Sequence, residues 1–232
     1  MTNTPFLLVP GLNCTAEIFS RLVPAIWPSG PVTIANHTIG GSIAEIAANI
    51  LMDAPPRFGL LGFSLGGYIA FEILRQAPAR VEKLCLLDTS ARPDTAEATE
   101  KRRLGITRAR AGDFTGVLNE GFLTAVDESN LGRDDLRAML VRMGTTNGVE
   151  TFARQQEAII ARPDSRGDLA GIRAKTVVIV GESDQTTIPA AAREMAAGIA
   201  GAKLVVVPQA GHLALAEAPE FVNTAVMEWA RG

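Results

Sequence analysis

The chain has 232 residues, with 22 Lys+Arg against 25 Asp+Glu and a formal net charge of −3 at pH 7. Its 47% apolar and 20% charged residues belong to the ordinary globular class. The mild acidity argues against the basic stripe of a nucleic-acid binder, and two histidines 175 positions apart with two cysteines exclude a helical two-histidine zinc site, a C-x-x-C site and a disulfide framework.

The start, MTNTPFLLVPG, has neither the basic flank nor the apolar length of a signal peptide. No run approaches a membrane-spanning length. A cytoplasmic protein with no membrane and no nucleic-acid partner is the expectation. Phe6 to Val9 then reads as a strand, followed by the loop Val9-Pro10-Gly11-Leu12-Asn13-Cys14. Further strands are expected at Val32 to Ala35, Phe58 to Leu61, Lys83 to Leu87, Thr176 to Val180 and Lys203 to Val207. Most are unbroken apolar runs, the pattern of strands buried on both faces of a parallel sheet. Helices are expected between them. Ser42 to Met52 opens on an N-cap residue and carries Ile43, Ile46, Ala47 and Ile50 at helical spacing. Ser64 to Ala77 ends before Pro78, Pro189 to Ile199 begins on a first-turn proline, and Phe221 to Ala230 closes the chain. Strand and helix in alternation define an α/β fold, with its ligand crevice at the carboxyl ends of the strands.

From Pro93 to Gly171 the alternation stops. Helical patches are expected at Ala96 to Ala111, Phe114 to Val126, Asp134 to Met143 and Val149 to Ala161, with 11 Lys+Arg balancing 13 Asp+Glu. A crossover of this length is unusual. The expected organisation is a core of residues 1–92 and 172–232 carrying a helical insertion, 93–171, over the sheet edge.

The strongest local signal is Gly62-Phe63-Ser64-Leu65-Gly66, directly after one expected strand and before a helix. With 8 Ser and 22 Gly in the chain, chance supplies about 0.07 matches to G-x-S-x-G, and the strand–turn–helix setting makes it a nucleophile elbow. Glycines are needed two positions either side of the serine because a Cβ there collides with neighbouring backbone. The turn lifts the Ser64 hydroxyl above the sheet and sets the Leu65 N–H at a helix N-terminus, ready to stabilise an oxyanion. The hydroxyl needs a base. His212, in Gly211-His212-Leu213 after the last strand, follows the serine in chain order. His37 lies near the same edge and reads as a structural or rim residue whose loss leaves most turnover. Asp184, after the strand Thr176 to Val180, completes the order Ser…Asp…His. Glu182 and Asp88 are its rivals, Asp88 the more serious because it too ends a strand. Leu12 N–H is the expected second oxyanion donor, with Gly11 allowing close approach. Cys14 and Cys85 read as packed apolar residues.

These segments resemble the α/β-hydrolase fold family: L-L-V-P-G-L, L-L-G-F-S-L-G-G, V-V-I-V-G-E-S-D and Q-A-G-H-L together span nearly the whole chain. The stretch from Arg154-Gln155-Gln156 to Arg162-Pro163-Asp164-Ser165 is similar to the end of the cap in small bacterial members. The resemblance implies a mostly parallel sheet flanked by helices, a helical cap, Ser64 as nucleophile, Asp184 as acid, His212 as base, and Leu12 and Leu65 as oxyanion donors. One departure is Pro10-Gly11 where many relatives have His-Gly, which implies altered loop packing without loss of activity. Relatives that hydrolyse haloalkanes or epoxides carry an aspartate where this chain has Ser64.

The expected activity is cofactor-free and metal-free hydrolysis of a small carboxylic ester, with lactones and thioesters as neighbouring substrates. Carbon–carbon bond hydrolysis of a dicarbonyl dienoate by the same three residues is the alternative, and a non-catalytic ligand receptor on this fold is a third reading. Arg102, Arg103, Arg108, Arg142 and Arg154 are candidates for a substrate carboxylate, against the plainer expectation of a solvated, charge-balanced face.

Overall fold

A computed structural model describes residues 4–232. In chain order its main elements are β1 (Phe6–Val9), α1 (Val23–Ile26), β2 (Val32–Ile34), α2 (Ile43–Asp53), β3 (Phe58–Phe63), α3 (Leu65–Gln76) and β4 (Val81–Leu87). Then follow α4 (Ala96–Arg108), α5 (Phe114–Ala125), α6 (Asp134–Ile160), β5 (Lys175–Gly181), α7 (Pro189–Gly198), β6 (Lys203–Val207), α8 (Ala214–Glu217) and α9 (Pro219–Arg231). The six strands form one sheet in the order β2-β1-β3-β4-β5-β6, with every neighbouring pair parallel.

The apolar runs fold this way because both faces of the sheet are covered. Leu7 and Val9 of β1, Leu60 of β3, Leu84 and Leu86 of β4, and Val178 and Val180 of β5 pack on one side with Ile46, Ile50, Ile69, Ile73 and Met195 of α2, α3 and α7. Their alternates Phe6, Leu8, Leu61, Cys85, Leu87, Val177 and Ile179 pack on the other side with Ile26 of α1 and Val222, Val226 and Trp229 of α9. Residues one apart in a strand point to opposite faces, so a two-sided core needs an unbroken apolar run. β2 differs because it is an edge. Exposed Thr33 sits between half-buried Val32 and Ile34, and the strand stops one residue short of the expected Ala35.

Three strands run longer than expected. β3 continues to Phe63, adjoining Ser64, β4 starts at Val81, its polar Glu82 and Lys83 being only half-buried, and β5 gains Lys175 and Gly181 at its two ends. Ser42 caps α2 as expected, accepting the Glu45 N–H at 3.2 Å.

Between β4 and β5 come α4, α5 and α6 and, among the described residues, no strand. The two helices expected in the latter part of this segment run end to end as α6, broken only at Gly148, whose φ of 80° lies outside the helical region. Ile106, Phe114, Leu118 and Phe152 give these helices a separate apolar cluster, with the Phe114 and Phe152 ring centres 5.4 Å apart.

Strand β1 has β2 on one side and β3 on the other, so the chain leaves β1 in one direction and returns in the other. A sheet opens its crevice at such a switch point, beyond the carboxyl ends. The Gly11 loop after β1 and the Ser64 turn after β3 both emerge there.

Candidate active site

Ser64 follows β3 with φ 52° and ψ −115°, a region that non-glycine residues rarely occupy. Its backbone is tied at both ends: its N–H donates to the Leu87 carbonyl at 3.0 Å and its carbonyl accepts from Thr89 Oγ1 at 2.8 Å. A Cβ on Gly62 would sit 2.4 Å from the Gly66 carbonyl oxygen, and one on Gly66 only 2.0 Å from that of Val9. Neither oxygen can move without breaking the turn or β1. The G-x-S-x-G spacing is therefore imposed by main-chain contact.

The loop after β6 carries His212, which is 7% exposed, and Ser64 is 9% exposed. His212 Nε2 lies 2.8 Å from Ser64 Oγ, and Nδ1 lies 2.9 Å from Asp184 Oδ2. A carboxylate only accepts, so Nδ1 carries the imidazole proton and Nε2 accepts from the serine hydroxyl. Asp184 Oδ1 accepts the N–H groups of Thr186 and Thr187 at 2.8 and 2.9 Å, and Oδ2 accepts the Thr187 hydroxyl at 2.7 Å. Burial by itself raises the Asp184 carboxyl. The charge and hydrogen bond of His212, together with the Thr187 donors, outweigh it and hold this carboxyl below the usual range. Thr187 was not among the residues singled out from sequence; its signal is the local Asp-x-x-Thr turn, in which an aspartate side chain bonds the backbone just ahead of it.

The rivals fall elsewhere. Glu182 is exposed. Asp88 is fully buried, and its oxygens accept the N–H of Gly181 at 2.9 Å and of Ala214 at 3.2 Å. Gly181 begins the turn that carries Asp184, and Ala214 follows the loop that carries His212, so Asp88 pins the bases of both. Burial first, then the nearby Asp184 charge, pushes its carboxyl well above the ordinary range. Glu217 supports the histidine loop from the other side, accepting Gly211 N–H at 2.8 Å and Asp127 N–H at 2.7 Å.

The loop Pro10–Cys14 closes on the elbow. A Cβ on Gly11 would lie 2.8 Å from the Phe63 ring and 3.3 Å from Ser64 Cβ, so the expected close approach is present. Leu65 opens α3, and neither its N–H nor that of Leu12 makes a hydrogen bond among the described residues. Burial pushes the Cys14 thiol up to about 12, which suits an inert packed residue. His37 is not a rim residue: it is 2% exposed, and its Nε2 lies 2.8 Å from the Gly11 carbonyl oxygen.

Four of the five candidate arginines are engaged. Arg102 binds Asp94 and Gln156, Arg108 binds Asp113 and Glu120, Arg142 binds Glu17, and Arg154 reaches the Thr38 carbonyl and Thr151. No cluster of three or more His, Cys, Asp or Glu is placed to hold a metal ion among the described residues. No described helix is long and apolar enough to cross a membrane. Two surface grooves lie away from Ser64: one of about 830 Å³ by Arg75, Val81 and Ile172, the other of about 290 Å³ by Ile39, Asn49 and Met52.

Comparison with known proteins agrees with this architecture. Residues 6–225 match the model of the alpha/beta hydrolase family, and the chain belongs to that family. It is 32% identical over 124 residues to a pimeloyl-[acyl-carrier protein] methyl ester esterase of Vibrio parahaemolyticus, spanning 53% of this chain and 44% of that protein. A protein of the same name from Nitrosomonas europaea is 30% identical over 189 residues, 78% of this chain and 73% of that one. The first of these matches thus takes in less than half of the relative's length. Among solved structures, a thermophilic esterase from Thermogutta terrifontis superposes with a TM-score of 0.88 at 28% identity, over 98% of this chain and 89% of that one.

Proposed function

We propose that this chain is a serine hydrolase of small carboxylic esters, with Ser64 as nucleophile, His212 as general base and acid, and Asp184 as the orienting carboxylate. The observation that carries the reading is the hydrogen-bonded run from Ser64 Oγ to His212 at 2.8 Å and on to Asp184 at 2.9 Å. His212 Nε2 takes the hydroxyl proton as Ser64 Oγ attacks the ester carbonyl. Charge then develops on the carbonyl oxygen, where the N–H groups of Leu12 and Leu65 receive it. His212 returns the proton to the leaving alcohol. The acyl-enzyme is hydrolysed by a water that His212 deprotonates, releasing the acid and restoring Ser64. The sequence of steps uses no metal or cofactor.

Residues 93–171 are proposed as a cap over the site, their helices bounding the acyl or alcohol pocket. The names of the Vibrio and Nitrosomonas relatives specify a methyl ester, and a short alkyl ester is the substrate class we assign here. Lactones and thioesters require the same attack and the same oxyanion donors.

A fluorophosphonate probe and a p-nitrophenyl ester of a short acid test the proposal. Labelling and turnover by the wild type, both lost in Ser64→Ala, are expected. Turnover that survives in Ser64→Ala overturns the assignment, and a wild type that neither labels nor turns over overturns the hydrolase reading. Cleavage of a dienoate far faster than of any ester would replace the ester with a carbon–carbon substrate.

A further inference from the structure

The carbonyl of Gly11 and the N–H of Leu12 belong to one peptide group. In a trans peptide the two point to opposite sides of the chain, so whatever holds the carbonyl aims the N–H. The Gly11 oxygen receives His37 Nε2 at 2.8 Å from one direction and the Cys14 N–H at 3.1 Å from another. Because the partner is a carbonyl, His37 Nε2 carries a proton. Burial lowers this imidazole to about 4 against a weaker opposing effect of the Gly11 bond, so at neutral pH it is an uncharged, single-tautomer donor.

The next peptide is held as well. Asn13 has φ 55°, in the left-handed region that asparagine enters more readily than most side chains. Its N–H donates to Gln155 Oε1 at 2.7 Å, and the other end of the same amide, Nε2, donates to the His37 carbonyl at 3.1 Å. Gln155 is 1% exposed and sits on α6, 142 residues from Asn13. It closes a ring from Gly11 through His37 and Gln155 to Asn13. Two more bonds join this loop to α6 on the other side of the Gly148 break: Asn13 Nδ2 to the Gly144 carbonyl at 3.1 Å, and Asn147 Nδ2 to the Cys14 carbonyl at 3.0 Å.

We propose that His37 and Gln155 are positioning residues of the oxyanion site: His37 fixes the peptide that presents the Leu12 N–H, and Gln155 ties that peptide's neighbour to the helices lying over the site. The inference rests on the reading of Leu12 as an oxyanion donor to a Ser64 hydrolase. It also explains how a chain with Pro10 where many relatives have histidine keeps this loop in place: the imidazole comes from the loop after β2 instead. A hydrogen bond to the carbonyl polarises the peptide as well, strengthening its N–H as a donor.

The test separates positioning from simple support of the fold. Competent sites are counted by phosphonate labelling, and kcat is expressed per labelled site. His37→Leu is expected to lower per-site kcat about tenfold or more with KM changed by less than about threefold, the signature of an interaction made in the transition state. The inhibition constant of a trifluoromethyl ketone, which binds as a tetrahedral oxyanion on the serine, is expected to rise in parallel. His37→Gln, which keeps a side-chain N–H donor, is expected to recover most of both. Per-site kcat and ketone affinity within about twofold of wild type in His37→Leu would overturn the proposal. Should His37→Leu not fold, the wild type decides by NMR. It has only two imidazoles, so His37 is assigned by comparison with His212→Ala. A neutral Nε2–H tautomer is expected, and an Nδ1–H tautomer overturns the Gly11 contact. Absence of turnover and labelling in the wild type would strike the hydrolase reading and the oxyanion role with it, whereas an Nδ1–H tautomer in an active wild type would strike the His37 contact alone.

Discussion

The two proposed oxyanion donors share one function and differ in construction. Leu65 is placed by its immediate neighbours. Ser64 holds φ 52°, and a Cβ on Gly62 would meet the main chain of Gly66, so the turn and the first N–H of α3 are written mainly into five consecutive residues, with the Val9 and Leu87 carbonyls and the Thr89 hydroxyl closing around them. Leu12 is placed by strangers: His37 lies 26 residues from Gly11, and Gln155 lies 142 residues from Asn13. One half of the site is a motif, the other a tertiary assembly. A motif tolerates changes elsewhere and fails abruptly when its own residues change. An assembly loses function by degrees as each distant partner is removed.

The largest expected effect falls on the motif half. Ser64→Ala and His212→Ala should each lower ester kcat about 10⁴-fold or more with little change in melting temperature. A loss in His37→Leu as large as in His212→Ala would mean that the assembly half is not graded and that the base has been misplaced. The proposed acid comes next. Asp184→Asn should cost about 10³–10⁴-fold in kcat, because an amide favours the wrong imidazole tautomer. Asp88→Asn should keep per-molecule activity within about tenfold yet lose roughly 1–3 kcal/mol of stability, since its amide nitrogen would face a backbone N–H that the carboxyl oxygen now accepts. Kinetics and denaturant melts on the pair check this, and a reversal of the two profiles would make Asp88 the working acid.

Legibility from sequence divides along the same line. The meeting of Ser64, Asp184 and His212 is legible because each follows a strand of a parallel sheet, and all such carboxyl ends lie at one edge. The strands were readable because burial on both faces leaves no room for alternation; β2, an edge, was overextended by one residue for the opposite reason. His37 was placed only near the right edge. Nothing local to Asn36-His37-Thr38 says that the imidazole turns inward onto Gly11. Gln155 carries still less signal, since a glutamine among helical residues reads as solvated until the fold buries it. Asp88 is visible in the sequence as a strand-end carboxylate, but its place as a pin between two loops depends on backbone groups of Gly181 and Ala214 that no residue pattern encodes.

Glycine substitutions probe the two halves with smaller changes. In Gly66→Ala the new Cβ meets the Val9 carbonyl oxygen at 2.0 Å, main chain on main chain, and a loss of about 3 kcal/mol or more, with activity, is expected. In Gly11→Ala the nearest atoms are those of the Phe63 ring at 2.8 Å, which can tilt, and about 1–2 kcal/mol is expected with activity partly kept. Equal losses in thermal melts would show that the loop is as rigid as the elbow.

The smallest effect isolates His37 through acid sensitivity. Its imidazole is lowered from 6.5 to about 4 by burial in the folded chain. Below 6.5 the unfolded chain binds a proton that the folded chain refuses, so stability falls as pH drops through this window and is fully present above it. Between roughly pH 7 and pH 5.5 the group accounts for about 1 kcal/mol, and more by pH 4. Asp88, held above its ordinary range, acts with the opposite sign, losing its contribution as pH rises. Asp184, held below its own, contributes above the carboxylate range and loses that only at more acid pH. Both remain in a His37→Gln variant, so the difference between the two denaturation profiles belongs to the imidazole. The variant should be the less acid-sensitive protein over this interval, even if it is the less stable one at pH 7. Parallel profiles would mean that His37 titrates in the folded chain as it does unfolded. An imidazole that gains its second proton so readily would be open to water and not buried, although its Nε2–H could still donate to the Gly11 carbonyl, because that bond favours the protonated ring and only burial opposes it.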